Sequence, residues 1–322
     1  MYADFGQVRL FSGGAGVSHP PPVSLTPFTK AWLDFPDQLR LLESRGLTVR
    51  DRVACEQFLA HVNYYRLSGY CLAFEKNRHA FHAGTTFEQI RGAYEFDLAI
   101  RDLLNEALEV IEIDLRTCTA HYFGQKYGAY GHTDATSFFP RFKHSDWLTK
   151  LREEVNRSKE LFVLHFQRTY TRFPDLPVWI VTEVMSFGML SRMLSGMHNS
   201  DLWLLANRYG IKVNTLKSWA HHLTYVRNLC AHHSRIWDRV WSIKPDLPPM
   251  RGWEPPELSG NDRLAATLLI LYRMLKRCPA SGTFAEEWKK RVETALMSPP
   301  TAPQTMKLMG LSQPLVANTL WK

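Results

Sequence analysis

The chain is poor in the features that most readily announce a chemistry. It has five cysteines, Cys55, Cys71, Cys118, Cys230 and Cys278. They are odd in number, far apart and form no CxxC pair, which argues against a disulfide framework or a zinc ribbon and fits a reducing cytoplasm. No basic segment followed by an apolar one opens the chain. The most apolar run, Leu264 to Leu275, is interrupted by Arg273 and is too short to span a bilayer, so no membrane partner is expected. Alternating strand patterns and internal repeats are missing as well. Acidic residues are in deficit, 31 Asp plus Glu against 39 Lys plus Arg, for a net charge of +8. That balance favours a polyanionic partner over a charge excess kept only for solubility.

What is present is an ample core, 45% hydrophobic residues over 322 positions. Residues 1–26 are rich in Gly, Ser and Pro and read as a flexible leader. From Phe35 the pattern turns helical, with Pro36 in a first turn, Leu39, Leu42 and Leu47 at apolar spacing and Gly46 as a stop. A second helix is expected from about Arg50 to Val62. The stretch near residues 63–84 reads as a small irregular or hairpin segment. Its Tyr64, Tyr65, Arg66 and Tyr70 offer base stacking or, equally, ordinary packing on neighbouring helices.

The strongest helical period runs from Thr85 to about Phe123 through Ile90, Tyr94, Leu98, Leu104, Leu108, Ile111, Leu115 and Cys118. Thr85 with Glu88, or Thr86 with Gln89, has capping-box spacing. Asp97 with Arg101 and Glu112 with Arg116 are i,i+4 pairs that suit a solvated face. Further helices are expected over 145–157 and 158–170, from Pro177 through Met193, from Ser200 to Gly210, from Asn214 to as far as Val240, and over 262–278 and 284–296. The fold class is all-α, a helical bundle. One helical domain is expected over 27–241, with C-terminal helices over 242–298 packing on it and a tail over 299–322.

One run concentrates chemistry: Tyr225-Val226-Arg227-Asn228-Leu229-Cys230-Ala231-His232-His233-Ser234-Arg235-Ile236-Trp237. Imidazole transfers protons near neutral pH, and arginine is a permanently charged fork that fits a phosphate. These are the groups that metal-free RNA cleavage needs. His232 suits the base that takes the 2′-hydroxyl proton or the acid that protonates the departing 5′-oxygen. Arg227 suits the charge on five-coordinate phosphorus, and Asn228 the orientation of the imidazole or a contact to phosphate. No metal or other cofactor is required, and the products would carry a 2′,3′-cyclic phosphate and a 5′-hydroxyl.

On a helix Asn228 and His232 share a face, but Arg227 and His232 lie about 140° apart around the axis. One helix is therefore a poor active site, and a two-fold pair of helices a better one. Arg235 and Arg239 either track a bound strand or are ordinary solvent-facing arginines. A zinc cluster of His221, His222, His232, His233 and Cys230 lacks the spacing of a strong site, and Glu106, Glu109 and Glu112 have no histidine at ligand spacing. A structural role for every histidine stays open on residue types alone.

Several ordered runs accompany the motif: Gln38-Leu39, Ser44-Arg45-Gly46-Leu47, Asn63 through Tyr70, Gly84 through Phe87, Tyr94 through Asp97, Ile111-Glu112 with Leu115-Arg116, Pro177-Val178-Trp179, Ser186 through Gly188 with Leu190-Ser191, and Arg227 through Arg235. With them the chain resembles, over roughly residues 28–239, the Abi-like family, the AbiD and AbiF type proteins of bacterial abortive-infection systems in the HEPN superfamily. The resemblance implies a dimerising HEPN-like core with an RNxxxH signature on Arg227, Asn228 and His232, and His233 at the longer spacing. It implies a further acidic or polar group from another helix. Glu183 is similar to that position, and either supports the site or simply pairs with Arg227. The family usually has asparagine where Asp238 stands, so a carboxylate is expected near the phosphate path.

The implied role is a cytoplasmic endoribonuclease of an anti-phage abortive-infection or toxin-antitoxin system. RNA is its substrate, Arg235, Arg239, Tyr65 and Arg66 are RNA contacts, and an inhibitory non-coding RNA or protein antitoxin restrains it. The alternative is a catalytically silent HEPN scaffold that binds a structured non-coding RNA or a protein partner.

Overall fold

Asp34 accepts the Asp37 amide at 2.8 Å, Pro36 occupies the first turn, and helix α1 (Phe35–Ser44) gives way to Gly46 at a φ of 92°. Asp51 caps α2 (Arg52–Val62) in the same manner. The computed structural model describes residues 27–278 and 282–322, so the expected leader lies outside the described residues. Two compact units divide between Tyr94 and Glu95, inside the longest helix, α4 (Phe87–Tyr127).

In the first unit one expectation needs correcting. Residues 64–71 are not irregular but form α3 (Tyr64–Cys71). Asn63, at a φ of 71°, breaks the chain after α2, and its side chain then accepts the Tyr65 amide at 2.8 Å. Restarted there, the helix puts Tyr64, Leu67, Tyr70 and Cys71 on one buried face, and Arg45 donates to the Tyr64 hydroxyl at 2.8 Å. The hairpin survives only as β1 (Glu75–Asn77) paired antiparallel with β2 (Ala80–Phe81). Of the two candidate capping boxes it is Thr86 with Gln89 that opens α4, with reciprocal bonds of 2.8 and 3.4 Å.

The second unit is helical around α4. It contains α5 (His144–Arg157), α6 (Leu161–Thr169), α7 (Val178–Val184), α8 (Phe187–Gly196), α9 (Asn199–Arg208), α10 (Val213–Ala231), α11 (Leu264–Leu275), α12 (Phe284–Leu296) and the short α13 (Thr305–Leu308). Every residue of α11 except Arg273 is buried, as a helix apolar on all sides must be. On α12, Trp288 donates its indole N–H to the Leu103 carbonyl at 2.7 Å, and Arg291 pairs with Glu106. Residues 299–322 also pack: Trp321 is buried against Tyr272 and Trp288.

Two further expectations change here. The helix predicted from Pro177 through Met193 is two helices. Glu154 takes the Ser186 amide and hydroxyl at 2.9 and 3.0 Å, while Ser186 caps α8. Asp97 and Arg101 do not lie on a solvated face, because their paired side chains are 0% and 3% exposed. Asp97 falls on the stripe of Ile90, Ala93, Ile100 and Leu104 that α4 buries.

Candidate functional site: the C-terminal turn of α10

Helix α10 ends inside the motif. Ala231 is its last residue, His232 caps it, and His233 takes the left-handed conformation at a φ of 53°. The His233 amide donates to the Cys230 carbonyl at 2.9 Å and the Ser234 amide to Leu229 at 2.8 Å, the paired bonds of a Schellman turn. The helix therefore stops well short of Val240. The reason lies downstream, where Ile236, Trp237 and Trp241 are fully buried and draw the chain back into the core.

Asp97 holds the returning segment. One of its carboxylate oxygens accepts the amides of Ile236 and Trp237, each at 2.8 Å, and the other pairs with Arg101. A turn braced from beneath in this way leaves Asn228, His232 and His233 exposed at the helix end.

Arg227 is 43% exposed and faces α4, with its Nε 3.9 Å from Glu112. It also reaches the Asn228 side-chain oxygen at a long 3.5 Å, and neither contact is to a histidine. Glu112 pairs as well with Arg116, whose guanidinium donates to the carbonyls of Thr182 at 2.9 Å and Glu183 at 3.2 Å. The carboxylate beside Arg227 is thus Glu112, only 12% exposed, rather than Glu183. The exposed Glu183 lines the same groove of about 360 Å³ with Leu108, Glu109, Glu112, Arg116 and Arg227. Past Glu183 a second groove of about 560 Å³ continues along α4 to His121 and the half-exposed Trp179.

The other predicted residues separate. Arg235 and Arg239 are not on a continuing helix. Arg235 stands 3.7 Å from Asp238, and Arg239 donates to the Arg235 carbonyl at 3.3 Å. Asp238 also pairs with Arg263 at 3.2 Å, so it is tied down rather than open to a phosphate. Burial pushes its carboxyl above the usual range against the pull of those two arginines. Tyr65 and Arg66 are exposed on α3, in the first unit.

His222 is fully buried, with its ring nitrogens 2.7 Å from the Ile243 carbonyl and 2.9 Å from the Thr267 hydroxyl. Burial also pushes the Cys230 thiol up to about 12. Among the described residues no group of three or more His, Cys, Asp or Glu side chains is arranged to hold a metal ion.

Sequence reasoning passed over Asp97 and Glu112 because i,i+4 pairing with arginine is the ordinary mark of a solvated face. The available signal was the place of Asp97 on the apolar stripe of α4.

A family model described as Abi-like protein matches residues 57–238, from within α2 to Asp238. The chain belongs to the Abi-like family. The matched span of this Abi-like protein takes in Asp97, Glu112, Glu183 and the whole α10 turn, and leaves α11, α12 and α13 outside. Comparison with curated proteins and with solved structures gave no match.

Proposed function

We propose that this Abi-like protein is a HEPN-type endoribonuclease acting in anti-phage abortive infection, a role that its family membership suggests. The observation that carries the reading is the presentation of His232 and His233 on an exposed turn braced by the buried Asp97, with Arg227 one helical turn earlier on the same helix. Imidazole moves the 2′-hydroxyl and 5′-oxygen protons, and Arg227 stabilises the charge that builds on phosphorus. DNA lacks the attacking hydroxyl and resists.

Arg227 points to Glu112 and to neither histidine, so one copy supplies half of the chemistry. A symmetric dimer would join the Arg227 of one copy to the imidazoles of the other. RNA is the substrate, and a non-coding RNA or protein antagonist would hold the activity in check in uninfected cells.

Arg227→Ala and His232→Ala should each reduce cleavage roughly 100-fold or more, with chelator present or absent, and the wild-type products should end in cyclic phosphate. Mixing the two inactive variants should restore about a quarter of the activity if sites are shared across the dimer. Unchanged cleavage by the double variant would overturn the enzyme reading. The second reading, a silent RNA- or protein-binding scaffold, draws its support from Glu112, which already occupies Arg227 in a structural pair. RNA that copurifies with Arg227→Ala without turnover of any substrate would favour it.

A further inference from the structure

The groove at Arg227 has no positive excess, since Arg116 and Arg227 share its lining with Glu109, Glu112 and Glu183. A chain of net charge +8 therefore carries its uncompensated positive charge elsewhere. One place in the second unit concentrates it. Arg141, Lys143 and Arg192 line a groove of about 310 Å³ together with Phe139, Phe142 and Ser195. Among the described residues no carboxylate pairs with any of these three cations. By contrast Arg116, Arg152, Arg208 and Arg263 are each tied to an Asp or Glu. Asp146, in the first turn of α5, is the nearest acid in sequence and does not line the groove.

The groove has a rigid frame. The Phe139 amide donates to the Gly196 carbonyl at 2.8 Å, strapping residues 139–143 across the end of α8, and the Phe142 amide closes back on Phe139 at 2.8 Å. Gly196 leaves room for the Phe142 ring, which a Cβ there would meet at 2.5 Å. Phe138, Phe142, His144 and Trp147 pack ring on ring behind the strap, and the Trp147 indole donates to the Met189 carbonyl at 3.1 Å. The backbone that carries Phe139, Arg141 and Lys143 is thus held in place, while Phe139 stays 50% exposed beside the cations.

We infer that this groove binds single-stranded RNA through its phosphodiester backbone, with a base stacked on Phe139. Three cations without counter-charge suit successive phosphates, and an aromatic face accepts any base. Such contacts are sequence-tolerant. They supply the polyanion affinity that a motif groove without positive excess lacks, and would hold a strand while the α10 turn engages part of it. A strand offers both phosphates for the three cations and a base for Phe139, whereas a bilayer surface presents no base to stack. The inference shares with the proposed function only RNA as the ligand, and its charge argument stands whether or not the motif cleaves.

The test uses full-length protein carrying Arg227→Ala and His232→Ala, so that turnover cannot obscure binding, and follows the anisotropy of a short labelled single-stranded RNA from about 50 to 300 mM salt. Arg141→Gln, Lys143→Gln and Arg192→Gln should each lower the slope of log affinity against log salt by about 0.7 and weaken binding about fivefold at 0.1 M. Phe139→Ala should weaken it roughly five- to hundredfold with the slope unchanged, and Phe139→Trp should not. Unfolding midpoints equal to that of the parent exclude a folding effect.

A triple Gln variant with an unaltered slope overturns the inference. So does a triple variant that keeps RNA binding and loses binding to vesicles of mixed neutral and anionic phospholipid, which would make the groove a lipid site. Cleavage by an otherwise wild-type protein with unchanged KM in the triple variant also removes this groove while the enzyme stands. Salt-dependent binding through the groove in a protein that cleaves no RNA removes the enzyme and leaves the groove.

Discussion

His222 lies within α10 and His232 caps it, yet the two imidazoles end in opposite surroundings. His222 is sealed between the Ile243 carbonyl and the Thr267 hydroxyl. A carbonyl only accepts, so the ring donates from Nδ1 and accepts the threonine hydroxyl at Nε2, which fixes a neutral tautomer. Burial drives its pKa down to about 4. His232 caps the same helix and is exposed to solvent. Where a helix ends can therefore separate a structural histidine from one available for chemistry.

The contrast depends first on Asp97. Asp97→Ala leaves Arg101 buried without its counter-charge and releases the amides of Ile236 and Trp237, at an expected cost of about 3–5 kcal/mol in urea denaturation. A loss below about 1 kcal/mol would mean that the Schellman turn and the buried tryptophans hold the histidines by themselves.

Acid sharpens the comparison next. His132, like His222, is driven down to about 4 by burial. Each folded value lies below the unfolded one near 6.5, so the unfolded chain takes up the proton first as pH falls. Stability is complete above about 6.5 and declines toward pH 4, by on the order of 3 kcal/mol for each ring. Denaturation midpoints across that window should fall, and His222→Gln should flatten part of the slope; a flat profile in the parent protein would contradict the buried neutral ring.

Substitution sets the two rings directly against each other. His222→Ala should cost about 2–4 kcal/mol through a cavity and two lost hydrogen bonds. His232→Ala should stay within about 0.5 kcal/mol of wild type while removing RNA cleavage. Equal losses of stability would erase the distinction. His233 differs in sign: its left-handed backbone is the position that glycine favours, so His233→Gly should raise stability by a few tenths of a kcal/mol, up to about 1, in the same assay.

Much of the helical framework was legible in advance. Asp34, Pro36 and Gly46 punctuate α1, and Thr86 with Gln89 opens α4, because caps and breakers act over a few residues. The split at Met185 and Ser186 was not, since the partner that satisfies Ser186 is Glu154, distant in sequence. The burial of Asp97 and the closeness of Glu112 to Arg227 were hidden for the same reason.

The sequence by itself determined the all-α class, the position of the α10 motif and the kinship with Abi-like proteins. All three rest on local pattern and on the order of short runs. Only the tertiary structure decided that the helix stops at Ala231, that Asp97 braces the turn beneath His232 and His233, and that Glu112 rather than Glu183 stands beside Arg227. Those outcomes follow from burying Ile236, Trp237 and Trp241 and from satisfying the amides and charges buried with them. Such balances involve residues far apart in the chain, and no local pattern records them.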